Sequence, residues 1–259
     1  METLLAIPFG FAIGVVVATV GGGGAILALP VLVYVLGEGV SPASTASLIV
    51  VALGASAGAG VQARDGQLCA RVALTFSVPA AAGAYLGTLA NTEVSGRALV
   101  LAFVPVMLFA AVLIAWRGDD SPSDGDADCP RPDLARAGSS GLAVGAMTGF
   151  FGVGGGFLIV PALTILLGLP MRRAIATSLA IITFTSAAAL VSHLVAGEQP
   201  NWSLTLVLCG AAAAGALVGS AAGRRLPERT LALAFGAIVA VVAVFLLADV
   251  LLLGGPPAG

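Results

Sequence analysis

Eight apolar stretches, at residues 4–36, 42–62, 68–90, 97–116, 139–169, 174–196, 203–222 and 229–253, take up most of this 259-residue chain. Most are close to the run of about 20 residues that an α-helix needs to cross roughly 30 Å of hydrocarbon. Polar turns separate them: Arg64-Asp65-Gly66, Asn91-Thr92-Glu93, Arg172-Arg173, Gly197-Glu198-Gln199-Pro200 and Gly223-Arg224-Arg225. Charged residues make up 9% of the chain, against about 25% in a soluble domain, and the mean hydropathy is +1.08. So few charges cannot clothe a water-facing surface, and the pattern predicts an all-α polytopic membrane protein. The net charge is −2, every cation is Arg and no Lys occurs, which excludes the clustered basic face of a nucleic-acid binder. The N-terminus lacks the basic region of a signal peptide, and its apolar run outlasts a signal core, so the first segment is expected to be retained.

The connector 117–138 differs from the rest. It is acidic and rich in Pro, Gly and Ser, so it cannot bury apolar surface, and it reads as a flexible linker outside the membrane. It divides the chain into a first membrane repeat, 1–116, and a second, 139–259. Slide the halves so that Gly14 meets Gly145, and Gly21, Gly23 and Gly24 meet Gly152, Gly154 and Gly155. Pro30 then meets Pro161, Leu36-Gly37 meets Leu167-Gly168, Ser47-Leu48 meets Ser178-Leu179, and Gly66 meets Gly197. After one inserted residue, Gly83 and Gly87 meet Gly215 and Gly219. We read this as an internal duplication.

Each half opens on an interrupted apolar run. The first carries Gly21, Gly22, Gly23 and Gly24 before Pro30; the second carries Gly152, Gly154, Gly155 and Gly156 before Pro161. Each glycine weakens a helix by about 1 kcal/mol relative to Ala, and proline removes a donor and crowds the preceding turn. Both segments therefore predict discontinuous or re-entrant helices, with Pro30 and Pro161 as part of the break. Unwound backbone at membrane depth survives only inside protein or beside water. The amides freed where a helix restarts, together with its positive dipole end, suit an anion. Such breaks at matching places in two repeats point to a transporter's binding site. The spaced pairs Gly54/Gly58, Gly83/Gly87 and Gly215/Gly219 read instead as helix-packing glycines.

Thr45 and Ser47, with Thr177 and Ser178, follow the broken segments and offer hydroxyls to the same site, or else to their own helix carbonyls. His193, the only histidine, shows no partner in the sequence and reads as structural; Asp249 falls at headgroup depth. Arg64, Arg71, Arg172 and Arg173 attract an anion at a vestibule or serve as topology anchors. Cys69 and Cys209 sit in apolar segments and Cys129 stands alone in the linker. We read them as packing residues and expect no disulfide framework, metal or cofactor. With no phosphate-binding GxxxxGK[ST] sequence, HExxH or nucleophile elbow, the chain is not expected to be an enzyme.

The paired segments Gly-Gly-Gly-Gly-Ala-Ile-Leu-Ala-Leu-Pro (21–30) and Gly-Val-Gly-Gly-Gly-Phe-Leu-Ile-Val-Pro (152–161) resemble those of the TauE/SafE family, the sulfite-exporter-like membrane proteins. The likeness covers nearly the whole chain and includes Ala-Thr-Ser-Leu at 176–179, where the first half has Ser44-Thr45-Ala46-Ser47-Leu48. The resemblance implies movement of small sulfur-containing anions, such as sulfite or sulfonates, across the cell membrane.

The expectation is thus a multi-pass transporter whose two glycine breaks face each other near the midplane and hold a small anion, with one half rocking against the other. An anion channel and a non-transporting membrane scaffold are the alternatives; the lipid bilayer is the surrounding partner, and a homo-oligomer is compatible. Arginine placement puts Arg172/Arg173 and Arg224/Arg225/Arg229 in the cytoplasm. In the first half Arg64 and Arg71 compete with Arg97, so parallel and inverted repeats both stand.

Overall fold

A computed structural model describes residues 2–90, 96–117, 129, 133–151, 156–195 and 200–248. Among the described residues ten α-helices follow one another: α1 (Glu2–Val20), α2 (Gly23–Pro30), α3 (Val40–Arg64), α4 (Ala70–Ala90), α5 (Gly96–Arg117), α6 (Leu134–Phe151), α7 (Gly156–Ile165), α8 (Met171–Val195), α9 (Trp202–Gly223) and α10 (Glu228–Ala248). A π-helical turn, Val31–Val35, prolongs α2, and no strand occurs among the described residues. The all-helical expectation holds. The first apolar stretch folds as α1 and α2, and the fifth contributes α6 and α7. Residues 152–155, the turns 91–95 and 196–199, and Asp249 lie outside the described residues.

α3, α8, α9 and α10 are each long and apolar enough to cross a bilayer. Leu74, Val78, Phe109, Leu206 and Val241 point outward and are between 62% and 69% exposed. Water would penalise that belt, whereas acyl chains solvate it. Phe76, Phe103, Phe157, Phe235 and Met107 fill the interior between the helices.

Two pairs of helices approach closely enough that only glycine fits between them. A Cβ at Gly141, Gly145 and Gly149 of α6 would strike the backbones of Phe76, Ala80 and Ala84 of α4 in turn. A Cβ at Gly14 of α1 would strike Ala212 of α9, and one at Gly215 and Gly219 would strike Phe11 and Val15. Residue numbers rise together in both pairs, so each pair is parallel. Gly83 and Gly87 meet Leu142 and Ala146 from the other side, as packing glycines should. Gly54 is looser, with its nearest neighbour 3.8 Å from the Cβ position.

These contacts fix the direction of every helix. The Gln62 amide of α3 donates to the Ala18 carbonyl of α1 at 3.4 Å, and Arg224, just past α9, pairs with Asp65 at 2.9 Å. α1, α3 and α9 therefore finish together at one end, which we call the arginine end. α4 starts there, its Cys69 amide donating to Thr177 of α8 at 3.3 Å, and α6 runs parallel to α4. α1 thus runs towards the arginine end and α6 away from it. At the far end the Asn201 amide donates to Glu38 at 3.0 Å. Arg64 and Arg71 fall on the same end as Arg172 and Arg224, while α5, packed against α10 through Ala111 and Gly236, starts with Arg97 at the other.

Three expectations need correction. Cys129 is not alone: it forms a disulfide with Cys69, at a sequence separation of 60. The bond fastens the connector to the start of α4, and the Arg173 guanidinium donates to Cys129 Sγ at 3.1 Å. Cys209 alone is free, and buried. Second, α6 begins inside the expected linker: Asp133 caps it, its carboxylate accepting the Ala135 amide at 3.1 Å. Residues 118–128 and 130–132 lie outside the described residues. Third, neither proline breaks a helix. Pro161 lies within α7, and Pro30 ends α2 in αR geometry before the wider π turn. Pro161 sits just past the first turn of α7, where its missing amide forfeits a single bond, and Pro30 closes the last turn of α2.

The helix contacts yield a contrast in thermal stability. Gly145→Ala places a methyl against the Ala80 carbonyl and is expected to destabilise by about 1–3 kcal/mol. Gly210→Ala in α9 meets nothing within 4 Å and is expected to be neutral or stabilising by up to about 1 kcal/mol. Equal shifts in detergent melting curves would contradict the packing account.

Candidate functional site

The junction of α1 and α2 is built from two glycines. The Gly21 amide closes the last turn of α1 by donating to the Val17 carbonyl at 2.8 Å. Gly21 then adopts φ +75°, a left-handed conformation that side chains resist. α2 restarts at Gly23, and its cap residue Gly22 makes no side-chain hydrogen bond to it. Helix starts of this kind leave amides unpaired within the helix.

The start of α7 faces this junction. Gly22 lies directly on Gly156, the first residue of α7: a Cβ on Gly22 would meet the Gly156 carbonyl, and one on Gly156 would sit 2.9 Å from the Gly22 carbonyl. The N-termini of two short helices therefore meet inside the bundle, and each carries about half a positive charge. Phe157, Ile175 and Ile182 close around them at 0–2% exposure. Gly152, Gly154 and Gly155 fall outside the described residues.

Of the four expected hydroxyls, only Ser178 reaches the junction. Its Oγ lies 2.5 Å from the Gly21 carbonyl and 2.8 Å from that of Ile175, so it supplies a donor where the helix stops providing one. Thr177 is fully buried and accepts the Cys69 amide. Ser47 donates to the Ser44 carbonyl of its own helix at 2.8 Å. Thr45, also fully buried, lies 3.4 Å from His193 Nδ1, so the histidine does have a partner, on another helix.

One feature went unread in the sequence. At the arginine end a cavity of about 250 Å³ is lined by Thr19, Gln62, Asp65, Arg172, Ile175, Ser220 and Arg224 among others. Ile175 is shared: it lines this cavity and also lies within 3 Å of the Cβ position of Gly21. Arg172 holds the closing turn of α9, its two terminal nitrogens donating to the carbonyls of Arg224 at 2.9 Å and Leu226 at 2.5 Å. Arg172 is thus on the cavity wall. Arg173 instead turns to the disulfide, and Arg64 and Arg71 do not line the cavity.

Comparison with known proteins agrees with this architecture. The family described as sulfite exporter TauE/SafE matches residues 6–246. A "Probable membrane transporter protein" of Xylella fastidiosa (strain Temecula1) is 30% identical over 242 residues, covering 92% of this chain and 90% of its own length. A probable membrane transporter protein of Methanocaldococcus jannaschii is 26% identical, covering 76% of each chain. Another, from Bacillus subtilis, is 39% identical over 90 residues, 35% of this chain and 33% of its own length. No solved structure matches. With its bilayer-length helices, its lipid-facing belt and a family match running almost end to end, the chain is a multi-pass membrane protein and belongs to the sulfite exporter TauE/SafE family of membrane transporters.

Proposed function

We propose that the chain moves a small sulfur-containing oxyanion, of the sulfite or sulfonate kind, by alternating access between two inverted repeats. The observation that carries this reading is the meeting of the α2 and α7 N-termini at Gly22 and Gly156. Two positive helix ends repel each other, and a carboxylate is missing from the lining just named. An anion between them relieves that repulsion and satisfies amides that lipid cannot. Gly21, Gly22, Gly23, Gly24 and Gly156, with Ser178 fixing the Gly21 carbonyl, form this site, and Gly152, Gly154 and Gly155 complete it by sequence correspondence.

The repeat reading draws support from reciprocity. α1 packs on α9 as α6 packs on α4, and the aligned pairs Leu36-Gly37 and Leu167-Gly168 end their helices alike. Glu38 and Leu169 donate amides to Leu32 and Leu163 at 3.0 Å, with Gly37 and Gly168 at φ +69° and +70°. Halves running in opposite senses exchange inward-open and outward-open forms by rocking. The segment between α5 and α6 joins the two repeats at the arginine end. The family's name and the relatives' names favour a transporter over a channel, scaffold or enzyme.

Flux into liposomes tests the site. Wild-type protein is expected to move at least one of sulfite, sulfate, thiosulfate and methanesulfonate with saturable kinetics. Ser178→Ala should slow it about fivefold, the effect of roughly 1 kcal/mol in one hydrogen bond, and Gly22→Leu should abolish it. Unsaturable flux at channel rates, or full flux in Gly22→Leu, would defeat the reading.

The arginine end, with Arg64, Arg71, Arg172 and Arg224, faces the cytoplasm by the arginine rule. Disulfides persist in oxidising compartments, so Cys69 and Cys129 should be thiols in growing cells. Because Cys69 is buried, the cells are quenched in acid and the protein is unfolded in the presence of a maleimide: labelling of both is expected, and protection of both would reverse the orientation.

A further inference from the structure

The cavity at the arginine end holds donors that the fold leaves unused. Ser220 of α9 is 2% exposed and its Oγ has no hydrogen-bond partner. A serine inside an apolar helix ordinarily turns its hydroxyl back to its own helix; Ser77 and Ser140 do so, onto the carbonyls of Ala73 and Arg136. Ser220 does not, and it stands on the cavity wall. On the same wall Arg172 keeps a buried Nε without a partner while its other nitrogens bind carbonyls. Gln62 adds an amide. Glu228, whose Oε1 accepts from the Arg172 amide at 3.4 Å and whose buried Oε2 has no hydrogen-bond partner, is absent from the wall.

The cavity's one carboxylate is already engaged. Arg224 donates to both oxygens of Asp65, at 2.9 and 3.0 Å, and this exposed pair ties the α3–α4 turn to the end of α9. It therefore joins the first half of the chain to the second beside the cavity. Below it Ile175 forms the floor, and on the other side of Ile175 lies the Gly21 junction.

We propose that this cavity is the first station of the transported oxyanion: Arg172 and Ser220 receive it, and it displaces Asp65 from Arg224 as it seats. The proposal rests on the reading that the chain moves a small oxyanion. The chemistry selects an anion because unused N–H and O–H groups line the wall and the carboxylate there is neutralised. Displacing Asp65 frees the two halves from each other on the side where the solute arrives. An exposed ion pair is weak enough for a solute to break, whereas a buried one would lock the halves. Ile175 then separates the outer station from the inner one.

The test uses the full chain in lipid nanodiscs, titrated with sulfite, sulfate, thiosulfate and methanesulfonate, beside liposome flux of the same anions. Ser220→Ala removes a hydroxyl without a partner, so its melting curve without anion should match or slightly exceed wild type, while anion affinity falls about tenfold. Asp65→Asn keeps the side-chain shape but releases Arg224, and affinity should rise by up to about fivefold. Should wild type move an anion while both variants bind it as wild type does, the station is refuted and the transport reading stands. Should wild type neither bind nor move any of the four, both fall.

Discussion

Inside a bilayer the backbone must satisfy its own hydrogen bonds, because lipid offers no replacement. Helices meet that demand along their length and fail at their ends, so the decisive question for this fold is where its helix ends are buried. Most lie at the two faces of the bundle. There Asn201 caps α9 by accepting the Leu204 amide, Asp133 caps α6 and Arg172 holds the last carbonyls of α9. The exceptions are the starts of α2 and α7, which meet beneath the arginine end, covered by Phe157, Ile175 and Ile182. Their burial is possible because Gly22 and Gly156 let the two backbones touch, and because Ser178 answers the carbonyl of Gly21.

That interior meeting needs a rigid frame, and the frame comes from close helix approach. In lipid the apolar side chains gain little by leaving their surroundings, so association relies on van der Waals fit. α4 with α6 and α1 with α9 obtain that fit by removing side chains altogether along one stripe. The same stripes hold α1 and α6 by their flanks, leaving the ends of α1 and the start of α7 facing each other. Packing glycines and junction glycines thus do different work with one residue type: the former bring helices together, and the latter let a helix stop.

Much of this was readable from residue order. Eight long apolar stretches forced an all-helical membrane protein. Spacing separated Gly83/Gly87 and Gly215/Gly219, which recur every fourth residue on one face, from Gly21–Gly24, which do not. What stayed hidden depended on the register between distant helices. Cys129 looked solitary because its partner Cys69 is far away in sequence, and His193 because Thr45 belongs to another half. Pro161 was overread: a proline near a helix start loses little, so it marks the region and not the break. Ser220 gave no signal at all, since an orphan hydroxyl is defined by the carbonyl it fails to meet.

The exclusive use of arginine follows from the same accounting. A lysine ammonium is a single strongly hydrated point, whereas a guanidinium can divide its donors among several acceptors. Arg172 spends two nitrogens on the carbonyls of Arg224 and Leu226 and still presents a third. Arg224 spans both oxygens of Asp65, and Arg173 reaches both sulfurs of the disulfide, at 3.1 and 3.8 Å. Each of these three cations first completes a helix end, a turn or a cross-link. The charge of Arg172, Arg173 and Arg224 is therefore held in place by the fold instead of spread along mobile chains. A fixed charge of that kind discriminates by geometry, which a merely basic surface cannot do.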